Sequence, residues 1–441
     1  MLDDEHIASI HALYSKLKTS PQNQYAILSA FYLATKTECK IISLGTGTKC
    51  LPESHLTAQG EAVHDSHAEI IARRGAIRWL FEEILREKIS GSQWIEQQEH
   101  SYRFKQGIEL RMYISTVPCG DASTRFLAAL QDPEMAALKD SVVMSQPEGT
   151  ARGRNNYHLY GVLRTKPGRA DSPPTLSLSC SDKIASWAFL GIQGTLGARF
   201  FGEGVYVQRI VIGEVLSAKD NNLINAVGKD CERALGGSPL DISTSRPDRY
   251  HLQVPTIAFT PIPFVHSRSE LALCWRADSL PKTDISSSSS LNSRDSDLRT
   301  LQVLINGYKR GASPKHRKRL HDDRFLPHIC KLSMFRLYAQ VCKEIYAFDP
   351  LEVHESSRSA RSLIMYQKAK VLLKGPSGPF KAWWDSSVAI IKRKRAESIQ
   401  CAQSVSLREE DPVDGSSTEA GRSGRGLGLW EKFNVDGELV V

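Results

Sequence analysis

Three short segments, far apart in the sequence, constrain this chain more than any other feature. They are His67-Ala68-Glu69, Pro118-Cys119-Gly120 and Ser179-Cys180-Ser181-Asp182-Lys183. One imidazole and two thiolates are the donor set of a catalytic zinc that keeps its fourth position for water. Glu69, which follows the histidine closely, suits a general acid and base that does not itself bind the metal. A fold that uses this set must bring three distant segments to one point.

The first two segments match most of the H-x-E and P-C-x-x-C signature of the zinc nucleobase deaminases. Ala122 stands where that signature has its second cysteine, so the second thiolate must come from elsewhere, and Cys180 is the best candidate. With 13 histidines in the chain, about one H-x-E is expected by chance, so the prediction depends on all three segments in order. The alternative for Cys180 is a small buried core residue.

Hydrophobic periodicity predicts an α/β fold. Helices are expected over Glu5–Leu17 and from His67 to about Lys88, and strands over Lys40–Leu44 and Leu110–Val117, while Gln24–Leu33 fits either. Alternating strands and helices, with the cysteines at strand-to-helix joints, predict a three-layer core sheet flanked by helices. The remaining predicted strands are Tyr157–Leu163, Tyr206–Ile212 and Ile257–Pro261, and the remaining predicted helices are Ala185–Ile192, Asn222–Leu235 and Leu332–Ile345.

Composition indicates an intracellular protein with a large core. The 441 residues are 41% hydrophobic and carry a net charge of +8, which suits a nucleic-acid partner without proving one. The cysteine count is odd, the N-terminus is acidic, and no apolar run is long enough to span a membrane, so we expect free or metal-bound thiols in a reducing compartment. Thr283–Asp297 is predicted to be a flexible serine-rich insertion and Ser404–Arg425 part of a flexible tail.

The chain resembles the eukaryotic RNA adenosine deaminases in several segments. Within them it is most similar to the tRNA-specific family that converts adenosine 37 of alanine tRNA to inosine. This resemblance implies one deaminase (editase) domain over 1–400, with a cytidine-deaminase-like core and additional C-terminal helices, and a mostly flexible tail over 401–441. The segments that carry it are Ile42–Cys50 (ISLGTGTKC), His64–Glu69 (HDSHAE), Arg164–Arg169 (RTKPGR), Ser179–Gly194 and, more weakly, Tyr366–Lys370 (YQKAK).

The resemblance also implies substrate contacts. In the family, the turn that matches Thr48 and Lys49 lies over the flipped base and its phosphate, although an ordinary strand-ending turn is the alternative. Arg164–Arg169, together with Arg152 and Arg154, would form a basic loop at the mouth of the active site. Arg169 is the candidate RNA contact there, and a solvated basic loop is the alternative.

A second site is implied by the resemblance alone. The related editing enzymes enclose inositol hexakisphosphate in a basic cavity, and a relay of Asp65, Lys183 and Lys166 would connect that cavity to the zinc centre. Two residues depart from the family pattern, because His64 replaces an asparagine and Ser186 an arginine. A solvated helix face is the alternative for Arg73 and Arg74. The matching positions are Ile70, Arg73, Arg74, Lys183, Trp187, Thr195, Gln367 and Lys370, with Trp383 also expected.

Two other functions remain open. An editor of long double-stranded RNA would normally carry separate duplex-binding domains, and we expect none here because only 66 residues precede His67. A catalytically inactive RNA-binding relative would be expected to lose Glu69, which is present. The basic run Lys315–Arg319 suits a nuclear-import signal, an RNA contact or a solvated patch, so we expect the nucleus or the cytoplasm.

Overall fold

The structure is a computed structural model of the full chain. It describes residues 2–17, 25–57, 60–130, 150–153, 159–166, 172–173, 175–218, 220–236, 249–267, 286–290, 301–312, 324–346 and 357–381. Arg169, Trp383, the Lys315–Arg319 run and the C-terminal tail lie outside these residues, so the expectations placed on them stay predictions.

A mixed eight-stranded sheet forms the centre of the described structure, in the order β11-β10-β7-β1-β2-β12-β13-β14. β1 runs antiparallel to both of its neighbours, β2 and β7, whereas β7, β10 and β11 are parallel. The segment left open by periodicity is therefore a strand. The bounds are β1 Leu28–Ala34, β2 Cys39–Thr46, β7 Glu109–Ile114, β10 Arg209–Ile212, β11 Thr256–Phe259, β12 Ser286–Ser290, β13 Gln302–Ile305 and β14 Tyr308–Lys309.

Smaller strand pairs lie outside this sheet. β3 (Thr48–Cys50) pairs with β4 (Asp65–His67), β5 (Ile95–Gln98) with β6 (Ser101–Phe104), and β8 (Thr150–Arg152) with β9 (Leu163–Thr165). The strand predicted over Tyr157–Leu163 is thus misplaced, because pairing with β8 begins only at Leu163.

Helices lie on both faces of the sheet and confirm the predicted helices to within a few residues at most ends. The N-terminal helix α1 packs Ile7, Ile10 and Tyr14 against one face, while α2 and α4 contribute to the core on the other. Two helices, α7 and α8, come from the C-terminal part of the chain. The bounds are α1 Leu2–Lys16, α2 Ala68–Ser90, α3 Thr124–Ala129, α4 Cys180–Leu190, α5 Gly194–Gly197, α6 Asn221–Leu235, α7 Lys331–Tyr346 and α8 Ser357–Lys374.

The serine-rich insertion is not flexible throughout. Ser286–Ser290 forms β12, which pairs antiparallel with both β2 and β13. The expectation failed here because low hydrophobicity argues against a packed core, whereas a strand between two others is held by main-chain hydrogen bonds that any residue can make.

One close approach fixes the geometry near the motif segments. A Cβ at Gly45 in β2 would lie 2.7 Å from the Ala68 oxygen and from the Ala72 nitrogen, so only glycine lets β2 pack this tightly on the start of α2. The Gly47 oxygen then accepts a hydrogen bond from the Ala68 nitrogen. Within the described residues, no helix is both long and apolar enough to cross a bilayer.

Candidate active site

A short hairpin places His67 beside the predicted substrate turn. β3 leaves the end of β2, and in its register with β4 Thr48 lies opposite His67, Lys49 opposite Ser66 and Cys50 opposite Asp65. Thr48 and Lys49 are exposed, as a substrate contact requires. α2 begins directly after His67, so Glu69 lies in its first turn, where the partial positive charge of a helix start favours an anion.

The two predicted cysteine ligands meet at the start of α4. Cys180 is the first residue of that helix, and its main-chain nitrogen lies 3.4 Å from the Cys119 sulfur. Ser179 caps the helix by accepting a hydrogen bond from the Asp182 nitrogen. Gly120 makes this contact possible, because its φ is +110° and a Cβ there would lie 2.1 Å from the Ser179 hydroxyl oxygen. Thiolates are favoured at such helix starts.

The two thiols differ in their tendency to ionise. The hydrogen bond with Cys180 lowers the pKa of Cys119 well below its usual value, helped by the charge of Lys166 and a hydrogen bond with His67. Burial instead raises the pKa of Cys180. A bound cation would favour ionisation of both, because metal binding requires deprotonated thiols. The structure thus brings the predicted pair into direct contact and connects Cys119 to His67.

Asp65, Lys166 and Lys183, the predicted relay, form one buried ion cluster. The Asp65 Oδ2 lies 2.7 Å from the Lys166 Nζ and 2.9 Å from the Lys183 Nζ, and it also accepts from the Ser177 hydroxyl. Oδ1 lies 2.9 Å from the His67 Nδ1. Burial would raise the pKa of Asp65, but the charges of Lys166, Lys183 and His67 hold it well below its usual value. The carboxylate is therefore ionised, and it orients the His67 ring.

Glu69 is buried in the same place. Its Oε2 is inaccessible and has no hydrogen-bond partner among the described residues. Burial, and then the charge of Cys119, raise the pKa of Glu69 above its usual value. A buried carboxylate with an unused oxygen and a raised pKa can gain and lose a proton closer to neutrality than an exposed one.

A second donor set shares His67. Within the described residues, one atom each of Cys50, Asp65 and His67 lies within 4.8 Å of the others, and the Cys50 sulfur is 3.6 Å from the His67 Nδ1. These three residues are a possible metal site by distance alone. Both oxygens of Asp65 are already bonded, however, two of its partners being buried ammonium groups.

The predicted basic loop is only partly a surface feature. Arg164 and Lys166 are almost fully buried, so neither faces the solvent as a loop residue would. The Arg164 guanidinium donates to the Leu159 and Gly153 carbonyl oxygens, and Lys166 belongs to the Asp65 cluster. Arg164 lies in β9 and Lys166 directly follows that strand, so strand alternation turns both side chains to the same, inward side, which a run of basic residues does not reveal.

Several residues of the predicted polyphosphate cavity lie at the meeting of α2, α4, α5 and α8. The Arg73 guanidinium stacks over the Trp187 ring at 5.0 Å. The same guanidinium lies close to Gly194, the residue before Thr195, since a Cβ at Gly194 would lie 3.3 Å from the Arg73 Nη2. Lys370 is almost fully buried in α8. The Gln367 side-chain oxygen and nitrogen are both inaccessible and without a hydrogen-bond partner among the described residues. Arg74, in contrast, donates to the Ile329 carbonyl oxygen at 2.5 Å, and Ile70 is buried in the core.

Sequence reasoning overlooked three residues of these sites. Cys50 lies in a segment that resembles the family but is not predicted as a site residue, although it contacts His67. Ser177 donates to Asp65 and accepts from Lys183. Lys374, one helical turn after Lys370, is buried as well. The signal for Lys374 was available, since residues four apart share a helix face.

Comparison with known proteins agrees with this geometry. The sequence profile of the adenosine-deaminase (editase) domain matches residues 43–387, well over half of the chain. The chain is 34% identical to tRNA-specific adenosine deaminase 1 of Saccharomyces cerevisiae over 45% of its own length and 55% of the yeast protein's. It is 28% identical to tRNA-specific adenosine deaminase 1 of Drosophila melanogaster over 79% and 83% of the two chains. It is 31% identical to the double-stranded RNA-specific editase Adar of Drosophila melanogaster over 50% and 32%. The chain therefore belongs to the adenosine-deaminase (editase) domain family.

Proposed function

We propose that this protein deaminates adenosine to inosine in tRNA by hydrolysis, at position 37 of alanine tRNA. One observation carries the chemistry: Glu69, a buried carboxylate whose Oε2 has no hydrogen-bond partner among the described residues, lies beside an imidazole and two contacting thiols. The similarity to tRNA-specific adenosine deaminases over most of the fly protein supports the substrate. We take the sheet with helices on both faces as the three-layer core of the cytidine-deaminase type.

His67, Cys119 and Cys180 would hold a zinc ion. Two thiols and an imidazole are donors that zinc prefers, and both cysteines lie where a helix start stabilises thiolates. The Cys50, Asp65 and His67 set fits less well, because a cation bound to Asp65 would lie beside Lys166 and Lys183 or displace them. When bound, zinc lowers the pKa of a coordinated water to about 7.

Glu69 would move the protons of the reaction. It would accept a proton from the water that attacks C6 of the adenine and deliver it to N1. It would then take the proton of the new C6 hydroxyl and give it to the leaving amine, so that ammonia departs and the C6 carbonyl of inosine forms. Its raised pKa allows it to carry a proton between these steps. Asp65 would keep the His67 ring in place throughout, through the 2.9 Å contact at Nδ1.

Recognition of the RNA would fall to the surface around this site. Thr48 and Lys49, exposed opposite the His67 strand, suit contacts to the ribose and phosphate of the target nucleotide, and Arg169 would add a further phosphate contact. An anticodon loop offers an adenosine that can leave its stack at low cost.

Inositol hexakisphosphate would occupy the cavity between α2, α4, α5 and α8. The unpartnered amide of Gln367 and the buried ammonium of Lys370 fit a polyphosphate, which would accept from both. Arg73, which stacks over Trp187 and lies near Gly194, would add a further cation, and Thr195 and Trp383 would complete the site. Native mass spectrometry of the purified protein would detect zinc and the polyphosphate as two definite added masses. Protein that is active without the second mass would exclude this ligand.

The substrate is tested by offering three RNAs in parallel. We expect inosine in folded alanine tRNA, and little in free adenosine or long duplex RNA, when products are scored by sequencing or by nucleoside chromatography. Binding should weaken steeply with salt, because lysines and arginines neutralise phosphates. Efficient deamination of duplex RNA with none of tRNA would instead identify an editor of double-stranded RNA.

A further inference from the structure

An exposed tyrosine near the active site is held unusually firmly. The Tyr160 ring, 41% exposed, has the guanidinium of Arg125 at 5.1 Å from its centre and that of Arg233 also at 5.1 Å. The Arg125 Nε lies 3.2 Å from the Tyr160 hydroxyl. We call Arg125, Tyr160 and Arg233 the Arg–Tyr–Arg stack. Two guanidinium groups and a hydrogen bond restrict the motion of this exposed ring, which suggests that the ring has a function at the surface.

The main chain on both sides of Tyr160 is also fixed. The Leu159 oxygen accepts from the buried Arg164, and the Gly161 nitrogen donates to the Asp121 Oδ2 at 3.0 Å. Asp121 is itself buried and follows Cys119 by two residues. Asp121 therefore connects the stack to the cysteine segment of the active site, and the position of the stack relative to that segment is fixed before any substrate binds.

Charge is arranged so that the stack presents cations outward. Asp121 and Asp230 are almost fully buried, and both pair with Arg233, while Asp230 also pairs with Arg125 at 3.5 Å. The Arg125 side chain remains 42% exposed. Arg125 uses its Nε both for the hydrogen bond to Tyr160 and for the ion pair with Asp230. Guanidinium groups with such a planar fork bind phosphate in a two-point manner.

We propose that the Arg–Tyr–Arg stack binds the phosphate and ribose backbone of the RNA strand next to the target adenosine, and so contributes to substrate selection. This inference rests on the proposed function for the identity of the RNA. A rigid aromatic ring flanked by arginines is a surface that single-stranded RNA loops use for stacking and phosphate contacts. Because the stack is already ordered, RNA binding there would lose little side-chain entropy.

The experiment compares RNA binding by variants of the full chain. Arg125→Ala removes the most exposed cation, and Tyr160→Phe keeps the ring but removes the hydroxyl that Arg125 contacts. Arg103→Ala is the matched control, because Arg103 is a half-exposed arginine paired with Glu96 in the β5–β6 hairpin, away from the stack. The Kd for folded tRNA, its salt dependence, and KM and kcat for deamination are measured, with thermal unfolding as the check on folding.

We expect Arg125→Ala to raise the Kd and KM by about tenfold, the effect of losing one hydrogen bond to a charged group, with kcat changed little. The logarithmic salt slope should fall by about 0.7 for one lost phosphate contact. Tyr160→Phe should show a smaller shift and Arg103→Ala none. An Arg125→Ala protein that binds RNA as tightly as the wild type overturns the inference. Weakened binding in a protein whose wild type forms no inosine in tRNA would reject the proposed function and retain the stack as an RNA site.

Discussion

Two carboxylates of this protein each bridge two cations, at opposite ends of the central sheet. Asp65, near the ends of β2 and β7 that lead to the motif segments, is 5% exposed and pairs with Lys166 and Lys183. Asp3, in α1 at the other end, is 22% exposed and pairs with Arg111 and Arg209. The pairings are alike, but their surroundings are not.

The two clusters differ in how much free energy is lost by removing their charged groups from water. Removing three charged groups from water costs several kcal/mol for each ion, and the ion pairs restore this only when nearly every donor and acceptor is used. The Asp65 cluster meets that condition, with Ser177 and His67 completing the bonds of the carboxylate. Asp3 remains partly hydrated, so its oxygens do not all need hydrogen-bond partners within the protein. At the Asp65 cluster this costly arrangement orients a proposed metal ligand, His67.

The largest expected effect concerns Glu69, whose buried Oε2 has no hydrogen-bond partner in the described part of the chain. Glu69→Gln keeps the shape of the side chain but cannot carry the proton, so turnover should fall by about 10²- to 10⁴-fold. Zinc content, RNA affinity and unfolding should change little, which metal analysis, binding and denaturation measurements would check. Loss of the metal in this variant would assign Glu69 a role in binding or folding instead.

Asp65→Asn tests whether the buried Asp65 cluster contributes more to stability than the partly exposed Asp3 cluster. The change leaves Lys166 and Lys183 buried without their negative partner, so the free energy of unfolding should fall by about 3–5 kcal/mol. Urea denaturation with the metal content measured in parallel gives this value. A loss below about 1 kcal/mol, as for an exposed pair, would remove the distinction between the two clusters.

His11, a partly buried histidine of α1, is kept neutral by its surroundings, in contrast to the ionised Asp65. Burial lowers the pKa of His11 to about 4, and its Nε2 lies 2.8 Å from the Tyr113 hydroxyl. Folding therefore favours the uncharged ring, and the stability that this contributes above pH 6.5 is lost as the pH falls towards 4. Between pH 7 and pH 5 the loss should be about 2 kcal/mol. Denaturation at both pH values measures the free energy of unfolding. In His11→Gln this free energy should decrease less between pH 7 and pH 5 than in the wild type. An equal decrease in both proteins would show that His11 does not have a lowered pKa.

Asp3→Asn should have the smallest effect and is the matched control for Asp65→Asn. Its pairs with Arg111 and Arg209 are partly hydrated, so we expect a loss of about 0.2–1 kcal/mol and no change in turnover. Added salt should reduce even that difference, because exposed charges are screened. A loss as large as that of Asp65→Asn would show that exposure does not separate the two clusters.

The sequence predicted the elements around the site better than the contacts within it. Periodicity located α1, α2, α4, α6 and α7, because apolar residues recur at helical spacing along these segments. It could not place β12, since a run of serines has no apolar pattern and its pairing with β2 depends on main-chain hydrogen bonds. The inward direction of Arg164 was hidden because a run of basic residues does not show which side chains a strand turns inward. The contact of Cys50 with His67 was hidden because it depends on the pairing of β3 with β4.

The identity of the metal donors is the central claim, and it is tested most directly by metal analysis of two cysteine variants. Cys180→Ala and Cys50→Ala each remove one thiol near His67, so either serves as the control for the other. X-ray absorption at the zinc edge should show two sulfur neighbours in the wild type and in Cys50→Ala, with about one zinc per chain. Cys180→Ala should lose the metal or retain one sulfur neighbour. One sulfur neighbour in the wild type, full zinc in Cys180→Ala and metal loss in Cys50→Ala would contradict the account and assign the ion to Cys50, Asp65 and His67.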